Sequence, residues 1–332
     1  MLIVNPNLCF DRTLYVRELS AGTVSRPYRA LVSAGGKGVN VARTLKILGQ
    51  SPRILGFLPA RGAGELTELL WDEGQQLIPV AIDGQVRSAT IILEDGGRAT
   101  VLNENGPTVT EDDFDRLLDA ADRELASVGG PKVLVATGSV SPGTPETAYG
   151  QLAAVAHRNG ALAIIDSARR ILASALPFGP DLVCPNLEEA EGVFTGEVVE
   201  VVEYQGEEAA QIPARATAVA RQLREAGAKR VVITAGRLGA LYSDGQTEAW
   251  LPTFRVNAVN PIGAGDSFLG GCVAALHDAL ADGADIADTN TWMHATVRGL
   301  AVASAAVENY EAGRLDPARA DELFSILEGQ RT

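Results

Sequence analysis

The 332-residue chain is poor in the residues that most often announce chemistry: three cysteines, three histidines, two methionines and 5% aromatics. Cys9, Cys184 and Cys272 are odd in number, far apart and in no CxxC pair. That excludes a disulfide framework and fits a reducing compartment, each thiol reading as a small buried hydrophobe. His157, His277 and His294 lack Cys or acidic partners at ligand spacing and HExxH is absent, which argues against zinc. Basic residues are in deficit, 28 against 42 acidic, and the net charge of −14 repels polyanions. Neither nucleic acid nor an anionic membrane is therefore the expected partner. No run of about 18 apolar residues occurs, and "MLIVNPN" meets Pro6 without a basic leader, so no signal peptide and a cytoplasmic location are expected.

What is present is an ordinary soluble composition, 46% hydrophobic and 21% charged, enough for one large domain over 1–332 with a small appendage. From residue 133 onward "KVLVATGS", "ALAIIDS", "DLVCPN" and "RVVITAG" alternate with amphipathic stretches such as 144–158 and 215–227, the pattern of βαβ units and a parallel sheet. The first third differs. "VRSATIIL" and "RATVL" flank Glu94-Asp95-Gly96-Gly97, a hairpin turn, and "DRTLYVREL" and "PYRALVS" also read as strands, predicting a small antiparallel sheet. Between them, Val41, Ala42, Leu45 and Leu48 predict a helix starting just after Gly-Gly-Lys-Gly and stopped by Gly49. The acidic stretch 196–211 reads as a solvated surface connection.

In an open parallel sheet, ligands bind beyond the carboxyl ends of the strands. Here those ends carry Gly138-Ser139, Asp166-Ser167, Asn186 with Glu189, and Gly236. In "NPIGAGDSFLGG", the apolar face of Phe268, Leu269, Cys272, Val273, Leu276 and Leu280 predicts a helix beginning near Asp266, with Gly263 and Gly265 at its amino end. Bare amides and the positive end of the helix dipole would face a phosphoryl group together, and Asp266 would orient an acceptor hydroxyl and take its proton. Taken alone, Asp266 reads equally well as an N-cap.

"AGGKGVN" fails the P-loop pattern because Gly38, not Ser or Thr, follows Lys37. Its glycines still let backbone lie against a ligand, while Lys37 adds charge and Asn40 offers both donor and acceptor, suited to a polyhydroxylated anion. Lys37 can also be an ordinary surface lysine at a helix start. "RGAGELTELL" begins a GxGxxG, but Thr67 replaces the third glycine and Pro59 is expected to lie beyond the strand, so no dinucleotide site is read there.

Taken in order, "GGKGVNVARTLKILG", "PNLEEAE" and "NPIGAGDSFLGG" resemble the ribokinase-like sugar kinases, the phosphofructokinase B family, over nearly the whole chain to about residue 310. "NPNLCFDRTL", "VRSATIILEDGGRATVLNENGP" and "TGSVSPG" are similar to its phosphosugar branch of 1-phosphofructokinases, tagatose-6-phosphate kinases and minor 6-phosphofructokinases. The resemblance implies an α/β fold: a three-layer α/β/α sandwich with a mostly parallel central sheet and a small antiparallel β lid from segments within about 8–33 and 85–105. It also implies an ATP- and Mg2+-dependent kinase acting on a hexose phosphate, most readily fructose 1-phosphate, with tagatose 6-phosphate or fructose 6-phosphate as alternative acceptors. A ribokinase-like sugar or nucleoside kinase and a non-catalytic sugar-phosphate sensor are more distant readings. A monovalent cation is an optional third cofactor, and a homodimer formed through the lid is the implied assembly.

By the same resemblance Asp266 is the catalytic base and Gly263, Ala264 and Gly265 form the anion hole. Asp11, Gly36 and Asn40 hold the sugar, Lys37 and Arg87 its phosphate, and Ser139 lies nearby. Thr234, Gly236 and Gly239 form the nucleotide turn. Asn186 also serves the nucleotide, and with Glu189 it positions magnesium largely through water, as suits a cation that dehydrates reluctantly. Two departures stand out: Cys184 replaces the Lys that precedes Pro-Asn in many branch members, removing a cation expected near the nucleotide phosphates, and Pro261 replaces a small β-branched or hydroxyl residue.

Overall fold

Strands that are apolar at every position need cover on both faces. In the computed structural model, which describes residues 1–331 except 128, 131 and 197–205, such strands form the middle of a large sheet. The chain begins with β1 (Leu2–Val4), β2 (Cys9–Val16), β3 (Arg29–Gly35), α1 (Lys37–Ile47), β4 (Arg53–Arg61), α2 (Ala63–Asp72), β5 (Gln76–Gln85), β6 (Arg87–Glu94), β7 (Ala99–Asn103) and α3 (Glu111–Ala126). It continues through β8 (Val133–Thr137), α4 (Ala148–Arg158), β9 (Leu162–Asp166), α5 (Arg169–Ala175), β10 (Leu182–Val183), α6 (Leu187–Thr195) and α7 (Gly206–Glu225). The remainder is β11 (Val231–Thr234), β12 (Ala240–Ser243), β13 (Glu248–Leu251), α8 (Ala264–Ala281), α9 (Thr289–Ala306) and α10 (Pro317–Arg331).

The large sheet runs β13-β12-β11-β10-β9-β8-β1-β4-β5, with parallel pairing from β5 to β11 and antiparallel pairing at β12 and β13. Alternation along β1 feeds two cores. Leu2 and Val4 join Leu134, Phe114 and Leu152 on one side, while Met1 and Ile3 join Val135, Leu66, Phe268 and Trp292 on the other. Helices α3, α4 and α7 cover the first face and α1, α2, α8 and α9 the second, the expected three layers. No described helix is long and apolar enough to cross a membrane.

The small lid sheet has the order β3-β2-β6-β7. Its outer pairings are antiparallel as expected, and its central pairing, β2 with β6, is parallel because the chain travels through β4, α2 and β5 between them. Three boundaries differ from the sequence reading. Helix α1 starts at Lys37, inside the glycine run, because Gly36 at φ 113° serves as its N-cap. Strand β4 continues through Pro59: β1 pairs only with residues 53–55, and the register with β5 shifts between Pro59 and Arg61, so the missing N–H falls at a bulge. In the acidic stretch, 197–205 lies outside the described residues, and from Gly206 the chain is already in α7, whose Ile212 is buried.

Tyr149, fully buried on α4, shares its hydroxyl proton between the carbonyls of Thr137 at 2.9 Å and Gly138 at 3.0 Å, tying α4 to the end of β8. Tyr149→Phe leaves those carbonyls without that donor and is expected to cost about 1–3 kcal/mol. Urea unfolding checks this: the midpoint falls with an unchanged slope, and an unmoved midpoint would remove the tie from the account of this corner.

Candidate active site

From β1 the chain departs to β4 and β5 on one side, and it later returns through β8 to β9, β10 and β11 on the other. A reversal of strand order leaves a crevice beyond the carboxyl ends of the two central strands. Here it is a cleft of about 950 Å³ lined by Asn5 and Asn7 after β1, Gly138 and Ser139 after β8, and Asp11 and Arg87 from the lid. Gly36, Lys37, Asn40 and Glu189 line it as well.

The glycine run packs directly on Asn5. The Asn5 Oδ1 accepts the Gly38 N–H at 2.7 Å. A Cβ at Gly36 would lie 2.8 Å from Asn5 Nδ2, and one at Gly38 would lie 2.6 Å from Asn5 Cβ, so only bare backbone fits at this approach. This contact sets the start of α1, and with it Lys37 and Asn40, over the crevice.

Lys37 is not a free cation. Its ammonium lies 3.1 Å from Glu189 and 3.4 Å from Asp166. Burial alone would lower its pKa, but the carboxylates of Asp166, Glu189 and Asp266 together outweigh that and raise it, so Lys37 stays charged. Asp166, buried at the end of β9, also accepts from the Thr137 hydroxyl at 2.8 Å.

At the start of α8, Gly263 in the left-handed conformation (φ 77°) is the N-cap, which removes the N-cap reading of Asp266. Asp266 is the third helical residue, 7% exposed, and its carboxylate accepts from Asn40 Nδ2 at 2.8 Å. Its pKa is pushed up to about 7: burial is the main cause, Asp166 and Glu189 add to it, and Lys37 and the Asn40 bond oppose it. A carboxylate so placed is half-protonated near neutrality and is a far better proton acceptor than an ordinary aspartate. A Cβ at Gly265 would meet nothing within 4 Å, so packing does not demand a glycine there, while the Ala264 N–H donates to the Pro261 carbonyl at 3.2 Å. Ala264 is the first helical residue between the two glycines.

Arg87 is buried and its guanidinium donates only to carbonyls, to Asn7 at 3.0 and 3.2 Å and to Glu104 at 3.4 Å. Among the described residues no carboxylate lies at ion-pair distance from it, although its positive charge reaches Asp11 in the same cleft. Asp11, on β2, accepts from the Cys9 thiol at 3.3 Å, and burial raises its pKa. Ser139 accepts from Asn7 Nδ2 at 3.1 Å and remains exposed.

The Asn186 and Glu189 pair forms a capping box at the start of α6: the Glu189 N–H donates to Asn186 Oδ1 at 2.8 Å, and the Asn186 N–H to Glu189 Oε2 at 3.1 Å. With its other oxygen on Lys37, Glu189 has both carboxylate oxygens engaged, leaving lone pairs suited to a water molecule rather than to a metal ion bound directly. Among the described residues no three His, Cys, Asp or Glu side chains gather as ready-made metal ligands. This donor set fits a hydrated cation held through water. Thr234 pairs with Asn186 through an isolated parallel bridge, which puts the predicted nucleotide turn one strand beyond the cleft. Thr234, Gly236 and Gly239 do not line the cleft itself. Gly239 (φ 125°) would bring a Cβ within 2.1 Å of the Leu251 carbonyl, so hairpin packing already requires it. Cys184 points into the core beside Cys272, and burial raises both thiols, Cys272 to about 12.

Sequence reasoning missed Asp166 as a member of the charge cluster, although it ended "ALAIID" in the right place. It also missed Arg43 and Glu73, an ion pair behind Asn40 for which helix periodicity gives no signal. Arg169 at the mouth of the cleft has φ 55°, the one left-handed non-glycine among the described residues.

Residues 5–319 match the family described as pfkB family carbohydrate kinase. The chain is 28% identical to the 1-phosphofructokinase of Borreliella burgdorferi, covering 82% of this chain and 83% of that protein. It is 25% identical to the 1-phosphofructokinase of Bacillus subtilis, covering 83% and 85%. The crystal structure of phosphofructokinase-2 from Escherichia coli with substrates and products superposes with a TM-score of 0.80 at 25% identity, covering 99% of each chain. Family membership implies a nucleoside triphosphate donor and a divalent metal. The strand-end cleft, the glycine-capped α8 and the matched span lead to one conclusion: the chain belongs to the pfkB family of carbohydrate kinases and is a sugar kinase.

Proposed function

We propose that this kinase transfers the γ-phosphoryl group of ATP, with Mg2+, to a hydroxyl of fructose 1-phosphate, giving the bisphosphate. The observation that carries the phosphosugar assignment is Arg87: a buried guanidinium that donates to neutral carbonyls and has no carboxylate at ion-pair distance among the described residues has charge to offer a dianion. The names of the two curated relatives support the same acceptor.

In this reading Arg87 holds the sugar phosphate, and Lys37, already paired with Asp166 and Glu189, reaches that phosphate only as a secondary contact. Asp11, Asn40 and the Gly36 backbone orient the sugar hydroxyls, with Ser139 at the opposite wall. The acceptor O–H donates to Asp266, which takes the proton as the new O–P bond forms and the bond to the ADP oxygen breaks. The amides of Gly263 and Gly265 stabilise the equatorial oxygens beside the space that Gly265 leaves open, with Ala264, whose N–H is held by the Pro261 carbonyl, between them. Thr234, Gly236 and Gly239 receive the nucleotide. Asn186 and Glu189 hold magnesium through water, where it would screen phosphate charge. The exposed apolar side chains Tyr28, Val32 and Leu102 on the lid are the surface a second copy would cover, supporting a homodimer. A cytoplasmic location accords with the acidic, disulfide-free chain.

ADP release measured over fructose 1-phosphate, fructose 6-phosphate, tagatose 6-phosphate, free hexoses and ribose should show a single preferred acceptor, fructose 1-phosphate; preference for an unphosphorylated sugar would overturn the assignment. With that acceptor, Asp266→Asn should lower kcat by about 10²–10⁴-fold, since the amide cannot take the proton. Arg87→Met should raise the KM for the phosphosugar about 10–100-fold and leave the KM for ATP nearly unchanged. Because the ionised form of Asp266 is the base and its pKa is about 7 in the free protein, kcat/KM should rise with pH through that value. A profile flat from pH 5.5 to pH 8, about 1.5 units below to one above, would exclude Asp266 as the base.

A further inference from the structure

Asn40 can help Asp266 only if its amide is turned the right way, and an amide has two nearly isosteric orientations. One presents N–H to the carboxylate; the other presents a carbonyl oxygen and repels it. Arg43 decides between them. It lies three residues after Asn40 on the same face of α1, and its Nη1 donates to Asn40 Oδ1 at 2.6 Å. A guanidinium can only donate, so Asn40 must turn its oxygen to Arg43 and its Nδ2 to Asp266.

The guanidinium is itself immobilised. Nε donates to Glu73 Oε2 at 2.7 Å, Nη2 to Glu73 Oε1 at 2.9 Å and to the Ala34 carbonyl at 3.0 Å, and Nη1 also to the Ala312 carbonyl at 3.4 Å. With the Asn40 bond these use all five N–H groups, leaving none for a substrate phosphate. Arg43 is 6% exposed. We propose that Arg43, clamped by Glu73, is a positioning residue that locks the Asn40 amide in the orientation donating to Asp266. The proposal rests on the reading of Asp266 as the base.

The charges reaching Asp266 from its surroundings are Lys37 on α1, Asp166 at the end of β9 and Glu189 on α6. The Asn40 bond is the neutral contact that acts with Lys37 to keep the carboxylate ionised. Losing it favours the protonated form, so the acid limb of kcat must move to higher pH.

The test is the pH profile of kcat for Arg43→Met combined with Glu73→Gln, which removes both partners and leaves no unpaired buried charge. Thermal unfolding establishes that the variant folds. The limb should move up by about one unit, a tenfold loss at acid pH relative to the plateau. Asn40→Leu should move the limb in the same direction, and Arg43→Lys, which keeps a donor beside Asn40 and a cation beside Glu73, should restore it toward the wild-type position. Wild-type limbs in the double variant or in Asn40→Leu would overturn the positioning role; should the double variant not fold, Asn40→Leu decides alone. Full turnover by Asp266→Asn would instead overturn the base assignment, a separate and distinguishable failure.

Discussion

One ammonium, Lys37, is set among three carboxylates, the buried Asp166 and Asp266 and the partly exposed Glu189, in a corner at the edge of the cleft. Unit charges about 4 Å apart interact by about 4 kcal/mol at an effective dielectric of 20, so the ionisation of Asp166 and of Asp266 depends on Lys37. The corner carries two more negative charges than positive when fully ionised; burial is the main cause that raises the pKa of both Asp166 and Asp266, and the neighbouring carboxylates add to it. Any positive charge brought into the corner acts in the opposite direction and favours the ionised form of Asp266. The ionisation of Asp266 is thus set by its burial together with the charges around it.

That corner exists because the sheet is buried on both sides. Polar groups cannot be accommodated along β1, β8 or β9, so they collect where those strands end, and the reversal of strand order opens the space that receives them. Asn5 converts this edge into a defined floor by accepting the Gly38 N–H and excluding side chains from Gly36 and Gly38. The register of α1, and thus the reach of Lys37 and Asn40, follows from one close backbone contact.

Much of this was legible in the sequence because it depends on local pattern. Apolar runs without alternation marked the two-faced strands, and glycines before the apolar face of α8 marked its start. The lid was legible as strands, but not the parallel pairing of β2 with β6, because turn residues specify only neighbours in sequence. Pro59 was misread for a similar reason: whether a strand tolerates proline depends on which edge is paired, and the short reach of β1 decided it. Within the site, Asp266 was singled out from the glycines before it, and Arg87 only through the family resemblance. The clamp of Glu73 and Arg43 on Asn40 joins elements with no common motif, and the pairing of Lys37 with Asp166 spans 129 positions.

Asn186 and Glu189 show why a motif can be visible while its geometry is not. An Asn three residues before a Glu is what a helix needs for a capping box, and α6 uses both side chains in that way. The box directs one Glu189 oxygen to backbone, which leaves the other for Lys37. Local capping thus aims the carboxylate, and the charge cluster then holds the lysine that the glycine run delivered. Helix start, glycine turn and strand end each have a sufficient local explanation, and their chemical meaning arises only where their side chains meet.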